Sequence, residues 1–161
     1  MFAQKLAPTG ETSYLVSRLF YEKHIYKTVD DRLHDVWYAH NTLKDIESGK
    51  VLVFGVFKKE DEFFCGCATG EISGMNIIVH ALFKRNVDVA KAALLIEKEI
   101  LKYSIDSGVE IKSIVGTIPE YNRAALMMSK RAGYVDVGIA EDVLHFKNGK
   151  VIPCRYMKKE I

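Results

Sequence analysis

The run IVGTIPEYNRAALMMSKRAGY at 114–134 constrains this chain more than any other stretch. A short apolar strand meets Pro119, a helix opens at Asn122, and Gly133 brakes it. Asparagine is a favoured N-cap because its side-chain oxygen accepts from the unpaired amides of the first turn. Gly133 supplies the left-handed backbone that commonly ends a helix, and Tyr134 can then pack back on the last turn. Ala125, Met128 and Ala132 recur at helical spacing on one face, so the helix rests on something apolar. With side chains this small it can lie close to a sheet.

The stretches before it supply that sheet. Residues 51–57 (VLVFGVF) and 63–69 (FFCGCAT) are apolar runs joined by a charged turn, which predicts an antiparallel hairpin. Cys65 and Cys67, two apart on a strand, are expected on one face as buried thiols. After Gly70 and Gly74, NIIVHALF at 76–83 reads as a third strand. Residues 87–104 then carry Val89, Ala92, Ala93, Ile96, Ile100 and Tyr103 at the helical period, and Gly108 closes that helix. Another strand follows at 111–118. A right-handed crossover makes strands 76–83 and 111–118 parallel neighbours. At the end of the sequence, Asn148-Gly149 predicts a two-residue type I′ turn between two strands. Pro153 inside the last strand argues for an edge or a bulge there.

The first third is less patterned. Residues 1–12 read as a lead-in broken by Pro8 and Gly10, and 13–29 as roughly helical. With 161 residues the chain is expected to be one domain, a variable helical part at 1–50 ahead of a core at 51–158. A formal charge of +2 with scattered basic residues argues against nucleic acid as a partner. No apolar stretch approaches the roughly 18–20 residues of a membrane span, and the first residues lack a signal-peptide core. Three cysteines without framework spacing fit a reducing compartment, by default the cytoplasm. His24, His34 and His40 match no ligand spacing, so no metal is expected.

Pro119, Asn122, Ala125, Gly133 and Tyr134 stand in the register of the last sequence motif of the GNAT superfamily of N-acetyltransferases, which this chain resembles over about residues 50–158. The resemblance implies an α/β fold with a mixed, mostly antiparallel sheet and a central splayed parallel pair flanked by helices. It further implies transfer of acetyl from acetyl-CoA, as cosubstrate, to an amine on a small molecule or a protein. In that family the cofactor lies where the parallel strands part, which points to Ile78, Val79 and Asn122. Its pyrophosphate sits on amides at the start of the long helix, the kind of site any anion favours. The matching run here is Arg85-Asn86-Val87-Asp88-Val89-Ala90. Candidate bases are Glu71 and His80, the latter with an ordinary pKa suited to proton transfer. Ser129 takes the place of the family's tyrosine, the proton donor to the leaving thiolate.

Two departures set the limits. Asp88 replaces the glycine that lets backbone approach the phosphates, and a carboxylate there repels them by roughly 1 kcal/mol or more. Ser129 is a far weaker acid than a tyrosine. The resemblance therefore also admits a catalytically degenerate GNAT-fold protein that acts as a binding or assembly factor. The segments HALFKR, TIPEYNRAAL, AGY and F-x-NG are similar to the GNAT-like proteins that bacteriophages encode. A homodimer and a phage protein are the macromolecular partners this leaves open.

Overall fold

The computed structural model describes residues 1–26, 43–59, 63–145 and 149–161. The elements are β1 (Phe2–Leu6), α1 (Gly10–Phe20), α2 (Lys23–Tyr26), β2 (Leu52–Phe57), β3 (Phe64–Ser73), β4 (Asn76–Phe83), α3 (Val89–Ser107), β5 (Ser113–Pro119), α4 (Arg123–Arg131), β6 (Val135–His145) and β7 (Val151–Glu160). The seven strands form one sheet in the order β1-β2-β3-β4-β5-β7-β6. The expected parallel neighbours are there: β4 and β5 run parallel, and every other adjacent pair is antiparallel.

Two apolar cores sandwich the sheet. On one face Val16, Leu19, Phe20, Ile25 and Ile46 meet Val53, Cys67 and Leu82. On the other, Ala92, Ile96 and Ile100 of α3 meet Phe54, Ile77 and Ile114. Burying each of the larger side chains contributes about 1.5–3 kcal/mol. A buried ion pair reinforces the second face, where Lys159 Nζ of β7 lies 2.7 Å from Glu97 Oε2 of α3. The Tyr134 phenol stands beside this pair, and burial together with the Glu97 charge pushes its pKa well above the tyrosine range.

Several sequence expectations need correction. Residues 2–6 are not a lead-in but an edge strand, in which Phe2 stacks on Phe57 at 5.4 Å. Gly10 does not break the chain; it opens α1, which Thr9 caps by accepting from the Thr12 amide. α3 starts after residue 87 because Asp88 is its cap, and it runs on to Ser107 before Gly108 turns left-handed at φ +72°. Pro153 lies in β7, an interior strand, so the edge alternative fails. The bulge alternative holds, since Ala140 pairs with Cys154 and Leu144 with Ile152, leaving β6 locally longer opposite the proline. His145 faces Val151, whereas a two-residue turn at 148–149 would set it opposite Ile152. Gly149 is left-handed at φ +81°, and Asn148 lies outside the described residues.

Cys65 and Cys67 do not share a face. Val56 pairs with Gly66 and Phe57 with Phe64, so β3 carries one extra residue there. That bulge turns Cys65 into the α3-side core and Cys67 into the opposite one. Burial pushes the Cys67 thiol up to about 12, which leaves it inert.

Gly66 makes the bulge possible. Its φ is +153°, and a Cβ there would stand 2.4 Å from the Leu82 carbonyl oxygen and 2.7 Å from Phe83 Cα. Both are backbone atoms, so nothing flexible can give way. Gly66→Ala is therefore expected to lower stability by about 2–4 kcal/mol, combining backbone strain with overpacking. Urea denaturation measures it, and a loss below about 0.5 kcal/mol, the range of an ordinary surface substitution, would contradict this role for the bulge.

Candidate functional site

The sheet opens where its parallel strands part. Asn76, Ile77, Ile78 and Val79 pair with Ser113, Ile114, Val115 and Gly116, and there the ladder stops. Beyond that point β4 continues to Phe83 against β3 alone, and β5 continues to Pro119 against β7 alone. The closed end is fastened by the buried Ser113, whose hydroxyl donates to Asn76 Oδ1.

Strand alternation decides which backbone groups face the gap. The Met75 carbonyl accepts from the Lys112 and Ser113 amides, on the β5 side. The Lys84 amide donates to the Cys65 carbonyl, on the β3 side. With a period of two, Val79, Ala81 and Phe83 direct their N–H and C=O groups to the β5 side, Val79 into the last rung and Ala81 and Phe83 into the gap, while Ile78 and His80 direct theirs to β3. Thr69 Oγ1 donating to the His80 carbonyl agrees with that parity. Of the two strand residues expected to hold cofactor, Val79 makes the last rung with β5 and Ile78 turns its backbone to β3, so neither offers a free peptide group beyond the parting point. Ala81 is the first residue on the β5 side with no rung, and sequence reasoning missed it. It is solvent-exposed within a central strand. The Phe83 carbonyl is 2.8 Å from His24 Nε2 of α2.

Gly116 is a second missed residue. It stands opposite Val79 at the last rung, and a Cβ added to it would meet nothing within 4 Å. Its neighbours in alternation, Ile114 and Ile118, share its face, and Ile114 belongs to the α3-side core. The space above the parting point therefore opens on the α3 side.

From the open end of β4 the chain passes straight into residues 85–90. Asn86 is left-handed at φ +64°, a conformation asparagine tolerates better than most residues. Val87 packs on the α3-side core, while Arg85, Asn86, Asp88 and Ala90 are exposed. Asp88 is the N-cap of α3: its carboxylate accepts from the Lys91 amide at 3.1 Å, and its carbonyl from the Ala92 amide at 2.9 Å. The helix end that would attract an anion already carries one of the chain's own.

On the other side of the gap, Asn122 caps α4, its Oδ1 accepting from the Ala125 amide at 3.2 Å. Its own amide donates to the Pro119 carbonyl at 2.9 Å, which ties the cap to the end of β5. The far end of α4 closes as a Schellman motif. Gly133 is at φ +89° and donates to Lys130, and Tyr134 donates to Ser129. The expected inward face of Ala125, Met128 and Ala132 is only half-buried, and no α4 residue is fully buried.

The three proton-transfer candidates divide between the two sides of the sheet. Glu71 pairs with Ile78 and His80 with Thr69, so Glu71 and His80 are diagonal neighbours on the face away from α3. His80 is exposed as a residue, yet the protein around it lowers its pKa from the ordinary 6.5 by desolvation. Nearby Glu71 offsets this only in part. The imidazole is thus neutral at pH 7. Ser129 lies on α4, whose end is anchored through Tyr134 to the α3-side core. Tyr121, next to the cap, is 44% exposed, and its phenol is pushed up by burial and by nearby Cys154. Among the described residues no three His, Cys, Asp or Glu side chains gather as metal ligands; His34 and His40 lie outside them.

Asn122→Ala removes the cap and should cost about 0.5–2 kcal/mol, read by thermal melting. Asn122→Asp should leave stability within a few tenths, because aspartate caps equally well. Equal losses in both variants would contradict the capping role.

No protein-family model matches the sequence, and no curated protein does. Solved structures do match along the whole chain. A probable acetyltransferase from Staphylococcus epidermidis superposes with a TM-score of 0.73 at 12% identity, over 98% of this chain and 97% of that one. A GNAT-family acetyltransferase from Streptococcus pneumoniae does so with 0.67 at 18% identity, over 99% of both chains. The microcin C7 self-immunity acetyltransferase MccE, in complex with acetyl-CoA and AMP, gives 0.68 at 17%, over 99% and 93%. No helix among the described residues is long and apolar enough to cross a membrane. With its parallel β4–β5 pair inside a seven-stranded sheet and helices on both faces, the chain superposes on these acetyltransferases and has the GNAT fold.

Proposed function

We propose that this chain is an N-acetyltransferase that takes acetyl from acetyl-CoA and passes it to an amine, in the cytoplasm. The observation that carries the reading is the cleft itself: the backbone edge left without a β5 partner at Ala81, just past the last rung at Val79, the open space above Gly116, and the 85–90 loop leading directly from it. An extended, amide-bearing arm such as pantetheine suits a free strand edge, since it can add to the sheet as another strand would. MccE, with the same fold, was solved with acetyl-CoA bound.

Acetyl-CoA would supply an acyl group activated as a thioester; the remaining work falls to the chain. A peptide N–H on the open edge of β4 can stabilise the negative charge that develops on the acyl oxygen. Neutral His80 can accept the proton an attacking ammonium must lose, with Glu71 beside it to stabilise the imidazolium. Ser129 is the α4 hydroxyl assigned to the leaving thiolate, a much poorer acid than a tyrosine. On the phosphate side Arg85 contributes positive charge, Asn86, Val87, Val89 and Ala90 contribute backbone, and Asn122 borders the arm from the β5 side.

One observation favours a second reading, a GNAT-fold binding or assembly factor without catalysis. Asp88 places a carboxylate on the amide of Lys91, where a phosphate would otherwise sit. Calorimetric titration with acetyl-CoA separates the two. Asp88→Gly should tighten binding by roughly fivefold, the ratio for about 1 kcal/mol of relieved repulsion, with little loss of stability since glycine caps tolerably. Arg85→Ala should weaken it. If millimolar acetyl-CoA releases no heat with either the native chain or Asp88→Gly, the enzyme reading falls.

A further inference from the structure

α4 flanks the cleft but is poorly fastened by packing: it buries no residue fully, and Met127 is 50% exposed. Its position therefore depends on polar ties at its two ends. Arg155, in β7, makes the tie that spans both. Its Nε donates to Glu120 Oε1 at 3.0 Å and its Nη2 to the same oxygen at 2.9 Å. Its Nη1 donates to Asp136 Oδ2 at 3.0 Å. Glu120 immediately follows β5 and lies two residues before the Asn122 cap. Asp136 lies just past the Gly133-Tyr134 stop, in the first turns of β6. One guanidinium thus joins the chain entering α4 to the chain leaving it.

Backbone bonds set the geometry of this joint. The Glu120 amide donates to the Pro153 carbonyl at 3.0 Å, fixing the carboxylate over β7. Asp136 sits at a bulge, where Met157 pairs with Asp136 and Tyr156 with Gly138. There its Oδ1 accepts from the Gly138 amide at 3.3 Å, which leaves Oδ2 for the arginine. The planar fork is what lets a single side chain reach two carboxylates in fixed directions; a lysine ammonium offers one point of charge.

We propose that Arg155 is a positioning residue: by stapling Glu120 to Asp136 it sets α4, and through it Asn122, at the border of the cleft. The consequence for cofactor affinity rests on the acetyltransferase reading; the staple itself does not.

The test compares the native chain with Arg155→Gln and Arg155→Lys by residue-resolved hydrogen exchange without ligand. The probe is the Ala125 amide, which Asn122 caps; the reference is the Cys67 amide in β3. In Arg155→Gln, Ala125 should exchange about tenfold faster or more, the scale of losing charge-assisted hydrogen bonds, with Cys67 unchanged. Arg155→Lys, which holds one carboxylate at a time, should fall between. Native exchange at Ala125 in a folded Arg155→Gln chain overturns the staple, and so does equal acceleration at Ala125 and Cys67. Coenzyme A affinity on the same proteins keeps the two claims apart. Loss of affinity beyond the change in melting temperature supports the consequence for the cleft. Failure of the native chain to bind overturns the reading of the cleft, while Ala125 still decides the staple.

Discussion

The parting of β4 from β5 after Val79 and Gly116 is the constraint on which the rest of the structure depends. A central strand that loses its neighbour exposes peptide groups that the fold cannot leave dry, so they must meet water or a ligand. Everything around the gap keeps it open without letting the sheet unravel. Asn76 and Ser113 fasten its closed end. β3 and β7 support the two arms from outside, and α3 and α4 flank it. The bulge at Gly66 belongs to the same scheme, since bulges sharpen local twist and bend a strand. It lies in β3 directly beside the free half of β4, where Gly66 pairs with Phe83.

The electrostatics of the cleft pull in two directions. A helix start with free amides is an anion site by construction of the peptide dipole. Asp88 satisfies part of that demand internally, stabilising α3 while lowering the attraction for a phosphate. Both effects come from the same carboxylate, so stability of the long helix and affinity for a phosphorylated ligand oppose each other at this position. A ligand would have to turn Asp88 aside or bind through the amides it leaves free.

What was legible in the sequence was local or depended on connection length. The Asn122 cap and the Gly133 stop could be read because caps are single-residue chemistry. The parallel pair could be read because a long helix between two strands admits essentially one handedness. What was not legible depended on partners distant in sequence. The five residues of β1 alternate too briefly to declare themselves, and only Phe57 across the ladder makes Phe2 a strand residue. Cys65 and Cys67 were set on opposite faces by one bulged residue that no periodicity signals. Pro153 was tolerated inside the sheet because β6 bulges opposite it. Ala81 and Gly116 went unnoticed because small residues in an apolar run look like packing until the neighbouring strand is seen to leave. Asp88 was visible as a departure, but its capping bond to Lys91 was not.

In the proposed reading the gap between β4 and β5 is a ligand cleft for coenzyme A. The most direct test of this is an amide-resolved NMR titration of the protein with coenzyme A. The proposed reading predicts that the amides of Ala81 and Phe83 shift together with those of Asn86–Ala90, while the closed rungs at Ile77 and Ile114 stay still. Saturating shifts confined to other surfaces, or none at all, would contradict it.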